Sequence, residues 1–136
     1  MNLQKVKGKN ANNGQWVFGW LYYKDGPDTV VAVTSKNVTS YDDLVYDKDK
    51  TLVVVDESTL CEFTGKQDSY NNDVYVNDVF NDGTSVVKQY ENVYVIQTVC
   101  GTFPLVRTNL EYLKVTGNII DDPEKIFRPR VPQVYR

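Results

Sequence analysis

The sequence predicts a mainly β fold of antiparallel strands with minor α content. Its 136 residues include 22 Val, 11 Thr and 4 Ile, but only 2 Ala and 8 Leu. Side chains branched at Cβ suit a pleated sheet, whereas Ala and Leu are the residues that helical proteins favour. Short apolar segments also follow one another with turn residues between them, which is typical of an antiparallel meander. The hydrophobic fraction of 41% and the charged fraction of 24% are those of a globular protein.

The first predicted strand is the aromatic run WVFGWLYY at residues 16–23, which ends at the turn sequence KDGP. Side chains alternate between the two faces of a strand, so Trp16, Phe18 and Trp20 share one side. We expect these three side chains to form one wall of the core, because a large aromatic surface is rarely left open on a monomer.

Residues 29–34 and 52–55 are the next two predicted strands, and the polar stretch 35–50 lies between them. Aspartates in that stretch invite a calcium-site interpretation, but the EF-hand pattern is absent and Lys48 and Lys50 interrupt the run. We therefore expect a solvated loop.

Three further strands are predicted at residues 74–80, 84–90 and 93–100. The sequence NDG separates the first two, and its Asp-Gly step is a strong hairpin signal because glycine accepts a positive φ without steric cost. The short connections predict an antiparallel meander.

The elements that follow are shorter. Residues 103–107 are a strand candidate, which Pro104 places at a sheet edge or a strand start because proline cannot donate to a ladder. Residues 108–113 fit one or two helical turns or an extended piece, since periodicity cannot decide over so few positions. A short C-terminal helix is predicted to start at Pro123, with acidic residues around its first turn.

Histidine is absent from the sequence, which excludes Ser-His-Asp and Cys-His mechanisms and HExxH zinc sites. Glycine-rich nucleotide-binding motifs and the GxSxG motif are absent too. Carboxylate chemistry remains open, and the candidates are Asp56 with Glu57, Asp78 and Asp82. Each of these carboxylates also has a local role available as a cap, a turn or a solvated group, and no cofactor or metal site is predicted.

Location and cysteine chemistry follow from what the chain lacks. No apolar run approaches the roughly 20 residues that span a bilayer, and no signal-peptide pattern opens the chain, so we expect a cytoplasmic protein without a membrane partner. Cys61 and Cys100 lie 39 positions apart without a metal-binding spacing, which favours two buried reduced thiols. A disulfide would require their Cα atoms to approach each other.

The net charge of −3 is unevenly spread, with −6 over residues 1–122 and +3 over residues 123–136. An acidic body disfavours nonspecific binding to phosphate backbones, which depends on clustered Lys and Arg. The basic tail keeps nucleic-acid binding open, although it can equally dock on the body or on a neighbouring subunit. The candidate phosphate contacts in the tail are Lys125, Arg128, Arg130 and Arg136.

Two segments carry a resemblance to a known family. Residues 55–68 read VDESTLCEFTGKQD and continue with VYVNDV at 74–79, and residues 114–126 read KVTGNIIDDPEKI. A weaker W-x-x-G-x-L feature lies near the start of the chain. In this order and spacing the segments resemble the YopX family of phage and prophage proteins. The residues that carry the likeness are Trp16, Gly19, Asp56, Phe63, Thr64, Gly65, Tyr75, Asp78, Gly117, Asn118, Ile119 and Pro123.

The chain departs from the family pattern at three places. Ser58 replaces a proline, Asn77 replaces a glycine, and the Pro/Arg-rich end has no counterpart. Asparagine is the next most tolerant residue for a positive φ, so we expect the second change to leave the backbone unaltered.

The resemblance implies a single domain over residues 1–136, divisible into an N-terminal β lobe at 1–55 and an SH3-like small barrel at 56–127, with a tail at 128–136. It implies no known reaction, so no catalytic residue is carried over. We interpret the motif residues as structural, in turns, backbone hydrogen bonds and a helix start.

The expected function is that of a phage or prophage accessory protein in the host bacterial cytoplasm. The leading hypothesis is a non-enzymatic protein-binding or adaptor module that acts on a host or phage protein. The alternative is a nucleic-acid-binding protein that uses the basic tail. A carboxylate-dependent hydrolase is the third hypothesis, and self-association is compatible with each.

Overall fold

The computed structural model describes residues 2–81 and 83–123, apart from the side chain of Arg107. The chain divides into two compact units, Met1–Phe63 and Thr64–Arg136. Within the described residues the strand pairs whose register is defined are all antiparallel, and the only α-helix has six residues. The prediction of a mainly β, antiparallel fold is confirmed.

The first unit is built on four strands with circular pairing. They are β1 (Lys5–Asn10), β2 (Trp16–Tyr22), β3 (Thr29–Val33) and the long β4 (Thr51–Gln67), whose last residues, 64–67, belong to the second unit. Each pairs with the next along the chain, and β4 also returns to pair with β1. The strand β1 was not predicted, because its lysines and glycine hide the apolar alternation.

A bulge lets β4 pair first with β3 and then with β1. Lys7 pairs with Cys61 and Lys9 with Asp56, so β4 contains three more residues than β1 between the same two pairs. Thr59 fills this gap, since its hydroxyl accepts from the amide of Lys9 at 2.8 Å and donates to the carbonyl of Asp56 at 2.6 Å. The extra residues bend β4 without leaving those groups unpaired.

Apolar side chains of β2 pack on both faces of the sheet. Val17 and Leu21 join a cluster around Val6, Val31 and Val55, while Trp20 packs in a second cluster with Ala32 and Leu44. The expectation that Phe18 belongs to the core is wrong.

Phe18 is 54% exposed, although it lies on the same face as Trp20. The sequence correctly predicted that Phe18 and Trp20 share one face of β2, but other side chains pack on Trp20 and leave Phe18 exposed.

The stretch predicted as a solvated loop contains helix α1 (Tyr41–Tyr46). Ser40 caps its start by accepting the amide of Asp43 at 3.1 Å, and acidic residues occupy the first turn. Leu44 is fully buried and anchors the helix in the second cluster. One apolar anchor in six residues gives no periodicity, so the helix could not be recognised by pattern.

Among the described residues, the second unit contains six shorter strands, of which five form one sheet in the order β10-β6-β7-β8-β9 and β5 pairs with β4. The strands are β5 (Asp73–Tyr75), β6 (Asp78–Phe80), β7 (Ser85–Tyr90), β8 (Val93–Thr98), β9 (Gly101–Pro104) and β10 (Val115–Asn118). Its core is a cluster of Val74, Phe80, Val87, Ile96, Leu105 and Leu110. The meander from β6 to β9 agrees with the sequence-based prediction.

The predicted strand at 74–80 is two strands joined by a turn. Asn77 adopts a φ of 75°, and the carboxylate of Asp78 accepts the amide of Tyr75 at 2.8 Å. Because Asn77 adopts the left-handed backbone conformation, the chain turns at this point, whereas the apolar run had predicted one continuous strand.

Two 3₁₀ turns, Leu105–Arg107 and Leu110–Tyr112, connect β9 to β10. Pro104 ends the edge strand β9, as expected of a residue that cannot donate to a ladder. The predicted C-terminal helix, from Pro123 onward, lies almost wholly outside the described residues.

Both cysteines are free, but only Cys61 is buried. Cys100 is exposed in the turn between β8 and β9, so the expectation of two buried thiols is wrong for Cys100. Within the described part of the chain, the helices are too short and too polar to cross a bilayer.

Candidate functional site

An apolar groove of about 770 Å³ opens on the second unit. Strands β7, β8 and β9 and the segment that carries the two 3₁₀ turns form its floor and walls. Its described lining residues are Thr84, Ser85, Ile96, Thr98, Val99, Phe103, Pro104, Thr108, Asn109, Tyr112 and Leu113. A volume of this size is within the range of small-ligand and side-chain binding sites.

The β8–β9 hairpin places an apolar floor beside an apolar wall. Ile96 and Phe103 are direct cross-strand partners, so their side chains lie on the same face of the sheet. Ile96 is buried in the core, whereas Phe103 is 47% exposed. The hairpin therefore presents an aromatic ring above a buried aliphatic base.

Side-chain hydrogen bonds shape the opposite wall. The hydroxyl of Thr108 donates to the carbonyl of Pro104 at 3.0 Å, and the side chain of Asn109 accepts the amide of Glu111 at 2.9 Å. These bonds hold the start of the second 3₁₀ turn, which presents Tyr112 at the rim. The wall is thus fixed by local polar contacts.

The rim of the groove is apolar and uncharged. Val99 is 57% exposed and Tyr112 is 80% exposed, and none of the described lining residues carries a charge. Exposed apolar side chains that gather at a concave surface are typical of a binding site.

Ser85 supplies the groove with an unusual polar group. The residue is 3% exposed, and its Oγ atom is buried without a hydrogen-bond partner among the described residues. Buried hydroxyl groups in native proteins are nearly always paired, so this one requires an explanation.

The first unit carries a second feature, in which lysines and aromatic rings share a face. Lys5, Lys7 and Lys9 pair directly with Trp20, Phe18 and Trp16, respectively. The ammonium groups of Lys7 and Lys9 lie 4.9 and 5.4 Å from the centre of the Trp16 ring. We call these six residues the lysine–aromatic face.

The structure brings the two distant family-motif segments together. The side chain of Asn118 donates to the carboxylate of Asp78 at 2.9 Å, although forty positions separate them. The hydroxyl of Thr64 donates to the carbonyl of Val74 at 2.7 Å, and Gly65 adopts a φ of 84°. These contacts are structural, and the motif residues do not line the groove.

Two further motif residues, Tyr75 and Phe63, also lie in contacts within the protein. Tyr75 is buried, and burial together with the nearby carboxylates of Asp73 and Asp78 raises the pKa of its phenol far above the usual range. The ammonium group of Lys5 lies 4.6 Å from the centre of the Phe63 ring.

Two of the carboxylate candidates, Asp56 and Asp78, are engaged in local structure. The carboxylate of Asp56 accepts hydrogen bonds from the amide and hydroxyl of Ser58 inside the bulge of β4. The carboxylate of Asp78 is buried and accepts from the amide of Tyr75 and the side chain of Asn118. The described residues contain no group of three or more acidic or cysteine side chains that could hold a metal ion. Asp82 and the four basic tail candidates lie outside the described residues.

The groove was not predicted, because its lining comes from segments that are separated in the sequence. Val99 and Phe103 were assigned to predicted strands, and the region of Tyr112 was left open between helical turns and an extended piece, without any reason to place them together. In the sequence, the only signal was that apolar residues such as Val99 and Phe103 lie near predicted turns.

No family model, curated protein or solved structure matches the chain. Membership of the YopX family therefore stays a prediction from the motif segments.

Proposed function

We propose that the chain is a non-enzymatic module that binds a segment of a partner protein in the groove of its second unit. The main observation that supports this proposal is an uncharged, apolar groove bordered by the exposed side chains of Val99, Phe103 and Tyr112. As the sequence suggested, the setting would be the cytoplasm of a bacterial host, where a phage or prophage accessory protein acts on a host or phage protein.

Strand β9 favours a peptide as the bound segment. It lies at the edge of the five-stranded sheet, and all four of its residues are exposed. An extended peptide can add to such an edge through its backbone, while alternate side chains enter a neighbouring pocket. The edge would supply affinity and the groove would supply selectivity.

The predicted SH3-like barrel is part of the same proposal. In the described residues the second unit has a core of its own, short strands and a meander from β6 to β9, which support a small antiparallel β scaffold of this kind. Such scaffolds commonly present a groove or a sheet edge to a peptide.

Selection from a random peptide library tests the function directly. The full chain should enrich a consensus sequence, and Val99→Asp should abolish binding of the enriched peptide, because the bound peptide would strip water from the new carboxylate without supplying an opposite charge. Tyr46→Asp, at an exposed position on the first unit, is the control and should bind normally. Equal binding by both variants, or no enrichment at all, would refute the proposal.

Nucleic-acid binding is the second candidate, since the lysine–aromatic face combines cations with rings on which bases could stack. The basic tail residues remain its other proposed contacts. Fluorescence anisotropy with a single-stranded oligonucleotide should then show affinity that falls steeply with salt. Replacing Lys5 and Lys9 by Gln should weaken binding, whereas the same change at Lys24 and Lys48 should not. An absence of binding at low salt removes this candidate.

A further inference from the structure

We propose that the groove receives a tyrosine side chain of the partner and that the phenolic hydroxyl pairs with Ser85. This inference rests on the proposed function and names the chemistry that the groove recognises. Ser85 would then be the residue that determines specificity.

The first support is the unpaired hydroxyl. Ser85 lines the groove, is 3% exposed, and has a buried Oγ without a partner among the described residues. The neighbouring lining hydroxyls differ, since Thr84 donates to the carbonyl of Phe80 and Thr108 to that of Pro104. Ser85 therefore retains hydrogen-bonding capacity at a place where an apolar ligand would sit.

The second support is the uncharged character of the lining. A charged side chain would lose its hydration without gaining an opposite charge from any described lining residue. The exposed ring of Phe103 and the buried Ile96 instead offer contact to an aromatic ring. The anchor should thus be aromatic and neutral.

A phenol satisfies both requirements. A phenylalanine ring would leave the Ser85 hydroxyl unpaired, and an indole can only donate a hydrogen bond. The hydroxyls of tyrosine and serine can each donate or accept, so the pair can form in either direction. Serine occupies three staggered χ1 rotamers, and rotation about this bond can turn the buried Oγ toward the ligand.

Two small probes separate recognition of the hydroxyl from binding to the groove. The full chain is titrated with p-cresol and with toluene, which carry the side-chain groups of tyrosine and phenylalanine, and amide shifts are followed by NMR. Both probes should shift the amides of Val99, Phe103 and Leu113. In Ser85→Ala the affinity for p-cresol relative to toluene should fall by roughly three- to tenfold, the ratio that corresponds to one hydrogen bond.

Thr84→Val is the matched control, because it removes a lining hydroxyl that is already bonded within the protein. It should leave the ratio of the two affinities unchanged. If both probes bind but Ser85→Ala does not change the ratio, the tyrosine proposal is wrong while the groove stands. If neither probe shifts the groove amides, the proposed function fails as well.

Two further measurements test other occupants of the groove. Groove resonances that shift when residues 124–136 are deleted, without any probe, would assign the groove to the chain's own tail and overturn the proposal. A sedimentation coefficient that rises with protein concentration, and that Val99→Asp prevents from rising, would assign it to a second copy and also overturn the proposal.

Discussion

Gly19 shows how a single hydrogen atom in place of a side chain permits strand pairing. A Cβ atom at this position would lie 2.2 Å from the carbonyl oxygen of Ala32, which is part of the neighbouring strand. The backbone of β3 would have to move, together with the fully buried Ala32. The resemblance marked Gly19 as a motif residue, and the structure gives a steric reason for a glycine there.

We predict that Gly19→Ala destabilises the protein by about 2–4 kcal/mol, because overpacking against backbone cannot be relieved by a rotamer change. Gly117→Ala is the matched control, since a Cβ atom at that position would have no atom of a non-adjacent described residue within 4 Å. Urea unfolding of the two variants measures the difference. Equal urea midpoints for the two variants would show that β2 and β3 can move apart at position 19 without loss of stability.

The ionised carboxylate of Asp68 supports local structure in the second unit. Burial alone would raise the pKa of Asp68, but hydrogen bonds from Val115, Asn72 and Tyr70 outweigh it and hold the pKa below its usual range. The carboxylate thus ties the turn before β5 to the start of β10.

The lowered pKa of Asp68 determines the direction in which pH changes the stability of the protein. Asp68 contributes stability above the unfolded value of about 3.9, and this contribution is lost as the pH falls through the lower folded value. We therefore predict that wild type loses stability below about pH 4 and that its advantage over Asp68→Asn shrinks there. Urea unfolding from about pH 3 to about pH 7 checks this. The prediction would be contradicted if the stability of wild type and that of Asp68→Asn changed with pH in the same way.

At the scale of elements, β4 illustrates how a strand can serve two partners. Its first residues pair with β3 and its later residues with β1, and the bulge between them is held by Thr59. The sequence predicted only residues 52–55, because the polar residues that follow break the apolar alternation. The pairing with β1 supplies the backbone partners that make this polar segment extended.

Thr59→Val should cost about 1–3 kcal/mol, because it removes the buried hydroxyl that bonds the amide of Lys9 and the carbonyl of Asp56. The neighbouring Ser58→Ala is the control, since Ser58 is exposed and its hydroxyl bonds only the side chain of Asp56. Thermal unfolding followed by circular dichroism distinguishes the two. A Ser58 variant as unstable as the Thr59 variant would argue against this role of the bulge.

At the scale of the whole molecule, each of the two units has a hydrophobic core of its own. Apolar clusters around Val31 and Leu44 belong to the first unit, and the cluster around Phe80 belongs to the second. The two cysteines report on different surroundings, because Cys61 is buried in the first unit and Cys100 is exposed in the second.

We predict that a thiol reagent modifies one cysteine per native chain at once and the second only after denaturation. Accessible thiols react without an opening step, whereas buried ones require local or global unfolding. Cys100→Ser should remove the fast phase and Cys61→Ser the slow one. Mass spectrometry of the labelled protein measures both, and a fast phase that persists in Cys100→Ser would be inconsistent with burial of Cys61.

The sequence by itself determined the fold class and most of the strands of the meander. Branched side chains, period-two alternation and the Asp-Gly turn act locally, so they can be recognised without knowing the partners. The same information could not reveal α1, whose single anchor Leu44 is buried only because a sheet lies next to it. It also could not show that Phe18 would be exposed beside the packed Trp20.

Only the tertiary structure decided where the candidate site lies. The groove combines Ser85 from β7, Phe103 from β9 and Tyr112 from a 3₁₀ turn, and each has an ordinary local role when it is considered alone. Burial and hydrogen-bond pairing depend on neighbours that are distant along the chain, so an unpaired hydroxyl such as that of Ser85 has no signature in the order of the residues.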